Sequence, residues 1–323
     1  MAAKTSASVS WPRISIVIPT LNEARNLPHV FRALPSDTHE VIVVDGYSVD
    51  DTLAVVRELK PEARIVMQTR RGKGNALACG CMAATGDIIA LIDADGSNDA
   101  AEISHFISVL LAGADFAKGT RFGKGGGSAD ITRLRRLGNR ILTVLVNLLY
   151  GVRYTDLCYG FNVFWRRHLP AVGFDADTVG AMDTRDQRWG DGFEIETLIN
   201  IRIAAAKLAV VEVPSFEHAR IHGVSNLSAL SDGLRVLRTI LRERSVARRA
   251  AVPLSGLPAL PDGPQDGGDV GNVDDPGGVD GNRQPSRSGN DSDEDNRVQS
   301  ARDGQARERP SAVETALNHP GRG

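Results

Sequence analysis

Cysteine pairs, long apolar runs and aromatic residues are all in short supply in this sequence. Its 3 cysteines, Cys79, Cys81 and Cys158, are odd in number and lack paired spacing. That excludes a disulfide framework or a cysteine zinc site and fits a reducing cytoplasm. No stretch reaches the ~18 uninterrupted apolar residues of a membrane-crossing helix, and the opening MAAKTSASVSWPR carries no apolar core of the kind a secretory leader has. The expectation is a cytoplasmic protein, peripheral at the inner membrane face at most. No GxGxxG follows the first strand pattern, which argues against a dinucleotide-binding dehydrogenase. The pair His218 and His222 lacks the glutamate of HExxH and is followed at once by Gly223, so a loop is expected there and not a zinc site. Nothing points to a nucleic-acid partner.

From about Val246 onward the chain has no Phe, Trp, Tyr, Cys, Met or Lys, and is rich in Gly, Pro, Asp, Asn and Ser. Such a segment has too little apolar surface to offset the ordering of its backbone, so 246–323 is expected to be disordered. It holds 9 Arg against 13 Asp and Glu, so of the chain's net charge of −2 the tail carries −4 and the remainder +2. The part expected to fold is therefore mildly basic, and its cations are uneven. Lys118, Arg121, Lys124, Arg133, Arg135, Arg136 and Arg140 share a stretch with one acid, Asp130, which suits a phosphate-bearing ligand or an anionic membrane surface. A solvated basic face is the alternative. Ile141 to Val152 (ILTVLVNLLYGV) follows the arginines and reads either as an interfacial amphipathic helix or as an ordinary buried one.

What is present is an alternation of short β-branched runs and helical patterns: ISIVI then ARNLPHVFRAL, EVIVV then DDTLAVVREL, ARIVM then GNALACGCMAA, DIIALI then AAEISHFISVLLA. Four strand–helix units predict an α/β fold with a mostly parallel sheet flanked by helices, and a fifth strand is expected at Asp115 to Lys118. Beyond residue 120 come a Gly-rich loop expected to be flexible (GKGGGS), the Arg-rich helix, YTDLCYGFNVF, WGDGFEIETLINIRIAAAK, a strand AVVEVPS and a closing helix to about Arg244. The domain expectation is a flexible 1–12, one domain over 13–245 with a nucleotide half (13–120) and an acceptor half (121–245), and the tail.

Ligands of open parallel sheets sit beyond the carboxyl ends of the strands, and there the residues are polar: Pro19-Thr20-Leu21-Asn22-Glu23, Asp45-Gly46-Tyr47-Ser48 and Asp93-Ala94-Asp95. Two carboxylates at i and i+2 leaving a strand can share one hard cation, and Mg²⁺ or Mn²⁺ favours such oxygen ligands while keeping positions for diphosphate oxygens. A solvated turn is the bland alternative. Asp45 at its strand end can accept hydrogen bonds from a ribose or a base edge, or cap a helix. Trp165 and Trp189 fit core or rim positions, with sugar stacking conceivable at Trp189.

IPTLNE, VVDGYSVDDT, GKGNAL, ATGDIIALIDAD, GTRF, RRLGNR, TDLCYGFNVF and GDGFEIE occur in one order between Ile14 and Arg242. Together they resemble family 2 glycosyltransferases of the dolichol-phosphate mannosyltransferase type. The resemblance implies a GT-A fold, a nucleotide-diphosphate sugar donor such as GDP-mannose or UDP-glucose, inversion at the anomeric carbon and a polyprenyl-type phosphate acceptor. It would place Pro19, Thr20, Asn22 and Glu23 around the nucleoside, with Asp45, Ser48, Lys73, Asp93 and Ala94 also on the donor. Asp93 and Asp95 would ligate Mg²⁺ or Mn²⁺, Arg121 would approach a phosphate, and Asp156 matches an acid of the family. Two departures stand out: the more frequent VVDDGS is VVDGYS, so Gly46 replaces a second acid, and Ser97 stands where a glutamine often follows the DAD pair.

Guanidinium groups bind phosphate bidentately, so Arg133, Arg136, Arg140 and Arg220 are candidates for an acceptor phosphate, with plain membrane attraction as the alternative. The stretch around Arg220 resembles the family's mobile acceptor loop. A phosphate acceptor is already anionic and needs no general base. A hydroxyl acceptor, soluble or on a glycan, would need one, and Asp156, Asp191 and Glu194 are then the candidates. A nucleotide-binding module without turnover is the alternative from another class.

Overall fold

The computed structural model describes residues 11–180, 187–223 and 229–250; most of the tail and the first ten residues lie outside these. Nine strands and nine helices follow in chain order among the described residues: β1 (Ile14–Thr20), α1 (Leu27–Ala33), β2 (Glu40–Asp45), α2 (Thr52–Leu59), β3 (Arg64–Met67), α3 (Lys73–Ala83), β4 (Ile88–Leu91), α4 (Ile103–Leu111), β5 (Phe116–Thr120), β6 (Gly127–Ser128), α5 (Arg133–Tyr150), β7 (Asn162–Trp165), α6 (Leu169–Val172), α7 (Ala176–Val179), α8 (Ile195–Ala205), β8 (Val210–Pro214), β9 (Phe216–Glu217) and α9 (Ala229–Ala250).

Seven strands form one sheet in the order β3-β2-β1-β4-β7-β5-β8. Neighbours run parallel except β7, which is antiparallel to both β4 and β5. The four expected strand–helix units are all present. The fifth strand is shifted by a residue or two, to Phe116–Thr120. The reversed strand was not foreseen, because FNVF carries no sign of direction. GKGGGS, expected to be a flexible loop, contributes Gly127–Ser128 as β6, which pairs with β9. The last helix runs on to Ala250, past the Arg244 expected.

Both faces of the sheet are covered, so the strands read as continuous apolar runs. Successive side chains of β1 and β2 alternate between two cores. Ile16, Ile18, Val41 and Val43 meet Leu27, Val56, Phe106 and Phe161 on one face, while Val17, Ile42 and Val44 meet Leu77, Ala78 and Leu198 on the other. Helix α3 lies directly on the sheet because Gly80 has no side chain. A Cβ there would stand 2.4 Å from Val17 Cγ1 and 2.7 Å from Val44 Cγ2. A third core joins α5, α8 and α9 through Val146, Ile201, Val236 and Ile240. Among the described residues no helix is long and apolar enough to cross a membrane.

Candidate active site

The carboxyl ends of β1, β2, β4 and β5 lie along one edge of the sheet, and the reversal of β7 brings the residues before it, 156–161, to that same edge.

At the β1–β2 end, Asn22 adopts a left-handed conformation (φ 60°) that a short polar side chain tolerates. Its amide donates to Ser48 Oγ (2.8 Å) and its Oδ1 accepts from the Val49 amide (2.8 Å), tying the two strand loops together. Asp45 is fully buried. One of its oxygens, Oδ2, accepts from the Ser48 amide at 2.9 Å, and the other, Oδ1, is buried with no hydrogen-bond partner. An orphaned buried acceptor is costly unless a ligand satisfies it. Thr20 Oγ1 donates back to Val44 O (3.2 Å) and the Glu23 amide to Thr52 Oγ1 (2.8 Å), so these two residues brace the loops. The position of the missing second acid, Gly46, faces Gln68 and Thr20 O closely enough that a Cβ would crowd both, at 3.2–3.4 Å.

After β4, the Asp93 amide donates to Asn98 Oδ1 (2.7 Å) and the Ser97 amide to Asp95 Oδ1 (2.9 Å), a tight turn that holds both carboxylates in place. Each already carries a cation: Lys73 Nζ is 2.6 Å from Asp93, and Arg220 Nη1 is 3.1 Å from Asp95. Lys73 also reaches Glu196 at 2.8 Å. Burial raises the Glu196 carboxyl; Lys73 opposes this and Asp93 adds to it. Glu23 is likewise raised, first by burial, with its hydrogen bond from Asn26 opposing and the charges of Asp95 and Asp93 contributing. Carboxylates are thus crowded where a divalent cation would relieve them. Among the described residues no group of three or more His, Cys, Asp or Glu forms a closed cage. Two carboxylates with cations on them and no third protein ligand fit an ion that shares its shell with a diphosphate, and do not fit a structural metal.

The segment after β9 lies on this turn. His218 N donates to Ser97 O (2.9 Å), Ile221 N to Asp95 O (3.2 Å) and Asn26 Nδ2 to His222 O (3.2 Å). Gly96 (φ +77°) makes room, since a Cβ there would meet Ile221 Cδ1 at 2.5 Å. The two histidines therefore sit in a loop, as the sequence suggests.

At the β5 end, Arg121 is held by Asp156 in a two-point pair (Nε–Oδ2 2.7 Å, Nη2–Oδ1 2.9 Å) and by Glu217 (3.1 Å), and its guanidinium lies 4.8 Å over the Tyr159 ring. Burial works against the Arg121 charge and is outweighed by Asp156 and Glu217, so its pKa is raised. Burial likewise pushes Asp156 up and is outweighed by Arg121 and Lys118, so its carboxyl stays below the usual range. Lys118, wholly buried, bonds Gly119 O (3.1 Å) and the Asp156 carbonyl.

A cavity of about 50 Å³ lies between these groups, lined by Lys73, Asp93, Arg121, Arg135, Glu196 and Arg220 among others. The base candidates are otherwise engaged. Asp156 pairs with Arg121. Asp191 pairs two-point with Arg70 (2.8 and 2.9 Å) and takes the Arg188 amide at 2.7 Å. Glu194 Oε1 accepts from the Gly190 amide at 3.1 Å in the turn before α8, and its Oε2, buried without a hydrogen bond, has Arg235 Nη1 at 3.6 Å. Of the arginines expected on an acceptor phosphate, Arg220 lines the cavity; Arg133, Arg136 and Arg140 point outward from α5 and are exposed. Arg135, with Asp130 at 3.4 Å, is the α5 arginine at the cavity. Trp165 bonds the Ala114 carbonyl at 3.2 Å, a structural position, whereas Trp189 lies under Arg242 at 4.6 Å with its indole N–H buried and unpartnered. Arg135 stands in the basic stretch but not among the arginines assigned to a phosphate, and sequence reasoning did not single out Tyr159, Glu196 or Glu217, although Tyr159 lies in TDLCYGFNVF and Glu196 is the second acid of the EIE that opens α8.

A family model described as "Glycosyl transferase family 2" matches residues 15–173. An uncharacterized glycosyltransferase of Mycobacterium tuberculosis is 41% identical over 108 residues, 33% of this chain and 48% of that protein, so the match spans about half of the relative's length. A polyprenol monophosphomannose synthase of Mycolicibacterium smegmatis is 30% identical over 229 residues, 67% of this chain and 81% of the relative. Among solved structures, the glucosyl-3-phosphoglycerate synthase of Mycobacterium tuberculosis in complex with Mn²⁺, uridine-diphosphate and glucosyl-3-phosphoglycerate superposes with a TM-score of 0.55 at 23% identity, covering 72% of this chain and 80% of that one. At that identity the likeness speaks for the fold, GT-A.

Proposed function

The chain belongs to glycosyl transferase family 2, an enzyme family, and from that premise we propose that it moves a sugar, with inversion, from a nucleotide-diphosphate sugar to a polyprenyl-type phosphate. Residues 13–120 form the nucleotide half in this reading and 121–245 the acceptor half.

The observation that carries it is the wall of the cavity: Lys73, Arg121, Arg135 and Arg220 line it together with Asp93, Asp130, Glu196 and Glu217, and each of these carboxylates is already paired with one of the cations. A cleft whose carboxylates are all ion-paired offers no free base and suits an acceptor that arrives already anionic. Asp45 Oδ1, buried and unpartnered, would take an N–H or O–H of the nucleoside. Asn22 and Ser48 set the shape of that pocket through their mutual hydrogen bond. Lys73 and Arg220 balance charge beside the diphosphate. Arg121, pinned by Asp156 and Glu217, is held in a fixed position at the cavity wall.

Asp93 and Asp95 would hold Mg²⁺ or Mn²⁺, which when bound offsets charge on the departing diphosphate. The test is a donor panel including GDP-mannose and UDP-glucose, with radiolabel followed into a lipid extract and Asp95→Ala as the inactive control. Label in the lipid phase is expected. Label confined to a water-soluble product would overturn the acceptor, and undiminished transfer by Asp95→Ala or in chelator would overturn the metal site.

A further inference from the structure

One side of helix α5 is used inside the protein: Val146, with partly buried Leu142, Leu145 and Leu149, packs into the third core, and Asn139 and Thr143 are buried beside it. On the outer face Leu134, Leu137, Ile141, Val144 and Leu148 are exposed by 59, 56, 61, 51 and 78%. Their spacing of three and four residues makes a continuous stripe, roughly 21 Å long at 1.5 Å per residue. Five large aliphatic side chains in one line are more than scattered surface leucines, and such a patch marks an interaction site.

Arg133, Arg136 and Arg140, all exposed, border the stripe, and α5 contains no acid. That charge decides between occupants. A second copy docking through the same face would bring no acid of α5 to these arginines and would leave their charge uncompensated. An anionic lipid surface complements them and also accepts the leucines, the pattern of a helix that lies in the interface plane. The neighbouring α9 adds exposed Leu234 and Leu241 together with exposed Arg238 and Arg242 and so carries the same mixture.

We propose that the outer face of α5 docks the enzyme onto an anionic bilayer, with Leu134, Leu137, Ile141, Val144 and Leu148 entering the acyl boundary and Arg133, Arg136 and Arg140 at the headgroups. The opposite side of the same helix start lines the catalytic cavity through Arg135 and holds Asp156 through Asn139 Nδ2 at 3.0 Å. A bilayer on the outer face therefore lies about one helix diameter, ~10 Å, from the cavity, at the level of lipid phosphates. The docking stands on the helix itself; only its purpose, delivering a lipid-borne phosphate, rests on the acceptor reading above.

The test uses the full chain and sedimentation with vesicles of phosphatidylcholine alone or mixed with phosphatidylglycerol. Wild type is expected on the mixed vesicles, weakly or not at all on the neutral ones, and less at high salt. The double variant Leu137→Asp/Val144→Asp, at exposed positions, should bind at least tenfold more weakly, and the milder Leu148→Gln should fall between. Transfer to acceptor dispersed in detergent should be unchanged in both. Failure of wild type to bind mixed vesicles overturns the proposal, as does undiminished binding by the double variant. A lipid-free wild-type dimer that the double variant turns into a monomer, read by light scattering, assigns the face to a second copy and overturns it equally. Vesicle binding that follows these expectations while label enters only a soluble product leaves the docking intact and removes only the acceptor reading.

Discussion

The two ends of the cleft are built differently. The end at β1 and β2 is made of consecutive strand loops joined by neutral hydrogen bonds between segments about 26 residues apart, such as Asn22 with Ser48. The end toward α8 and β9 is made of ion pairs between distant segments: Arg70 with Asp191 across 121 residues, Lys73 with Glu196 across 123, and Arg121 with Glu217 across 96. A hydrogen-bonded loop on a sheet edge keeps its shape if one member is lost. A buried charge that loses its partner has nowhere to go.

The largest expected effect tests that contrast directly. Asp156→Ala leaves Arg121 buried with half its partners and should destabilise the fold by about 3–5 kcal/mol, measured by denaturant titration. At the β1 and β2 end, Asp45→Asn keeps the shape and removes only a charged acceptor. Its unfolding midpoint should move little, while affinity for the donor falls by about 1.5–3 kcal/mol, ten- to a hundredfold, read by calorimetry. A midpoint shift matching that of Asp156→Ala would erase the distinction between the two ends. Gly80→Ala should cost about 1–3 kcal/mol by pushing α3 off Val17 and Val44, a packing effect shared by both ends that leaves donor affinity per folded molecule unchanged.

The mildest perturbation is acid. The Asp156 carboxyl is lowered in the folded protein, so the stability it contributes is complete above the unfolded value of about 3.9 and is lost as pH falls through its lower folded pKa. The stability gap between wild type and Asp156→Asn should therefore be flat from pH 7 to about pH 5 and close only below about pH 4. A gap already closing at pH 6 would mean that another group controls the pair.

That contrast also explains what could be read from the sequence. The strands before residue 120 announce themselves as β-branched runs, and the residues following them fall on the sheet edge by topology, which is why Asp45, Asp93 and Asp95 could be named together. Asp93 and Asp95 do meet at one turn, and Asp45 does lie at the same edge. The segments after residue 120 could be named only as motifs. GDGFEIE shows two glutamates, and nothing local says that Glu194 caps a turn while Glu196 meets Lys73. RRLGNR shows three arginines, and only the rotation of α5 against α8 and α9 turns Arg135 inward and Arg136 and Arg140 outward. The direction of β7 was equally hidden, since a short, mostly apolar run such as Asn162–Trp165 pairs as well either way.

The reversed strand has a mechanical consequence. β7 is bonded to β4 on one side and β5 on the other, and Tyr159, just ahead of it, links Asn98 (3.2 Å) to Ser215 (2.9 Å) while lying under Arg121. The carboxylate turn and the guanidinium are thereby bolted to one rod and cannot slide past each other. The spacing between the two charged groups is thus fixed by strand pairing as well as by their own hydrogen bonds.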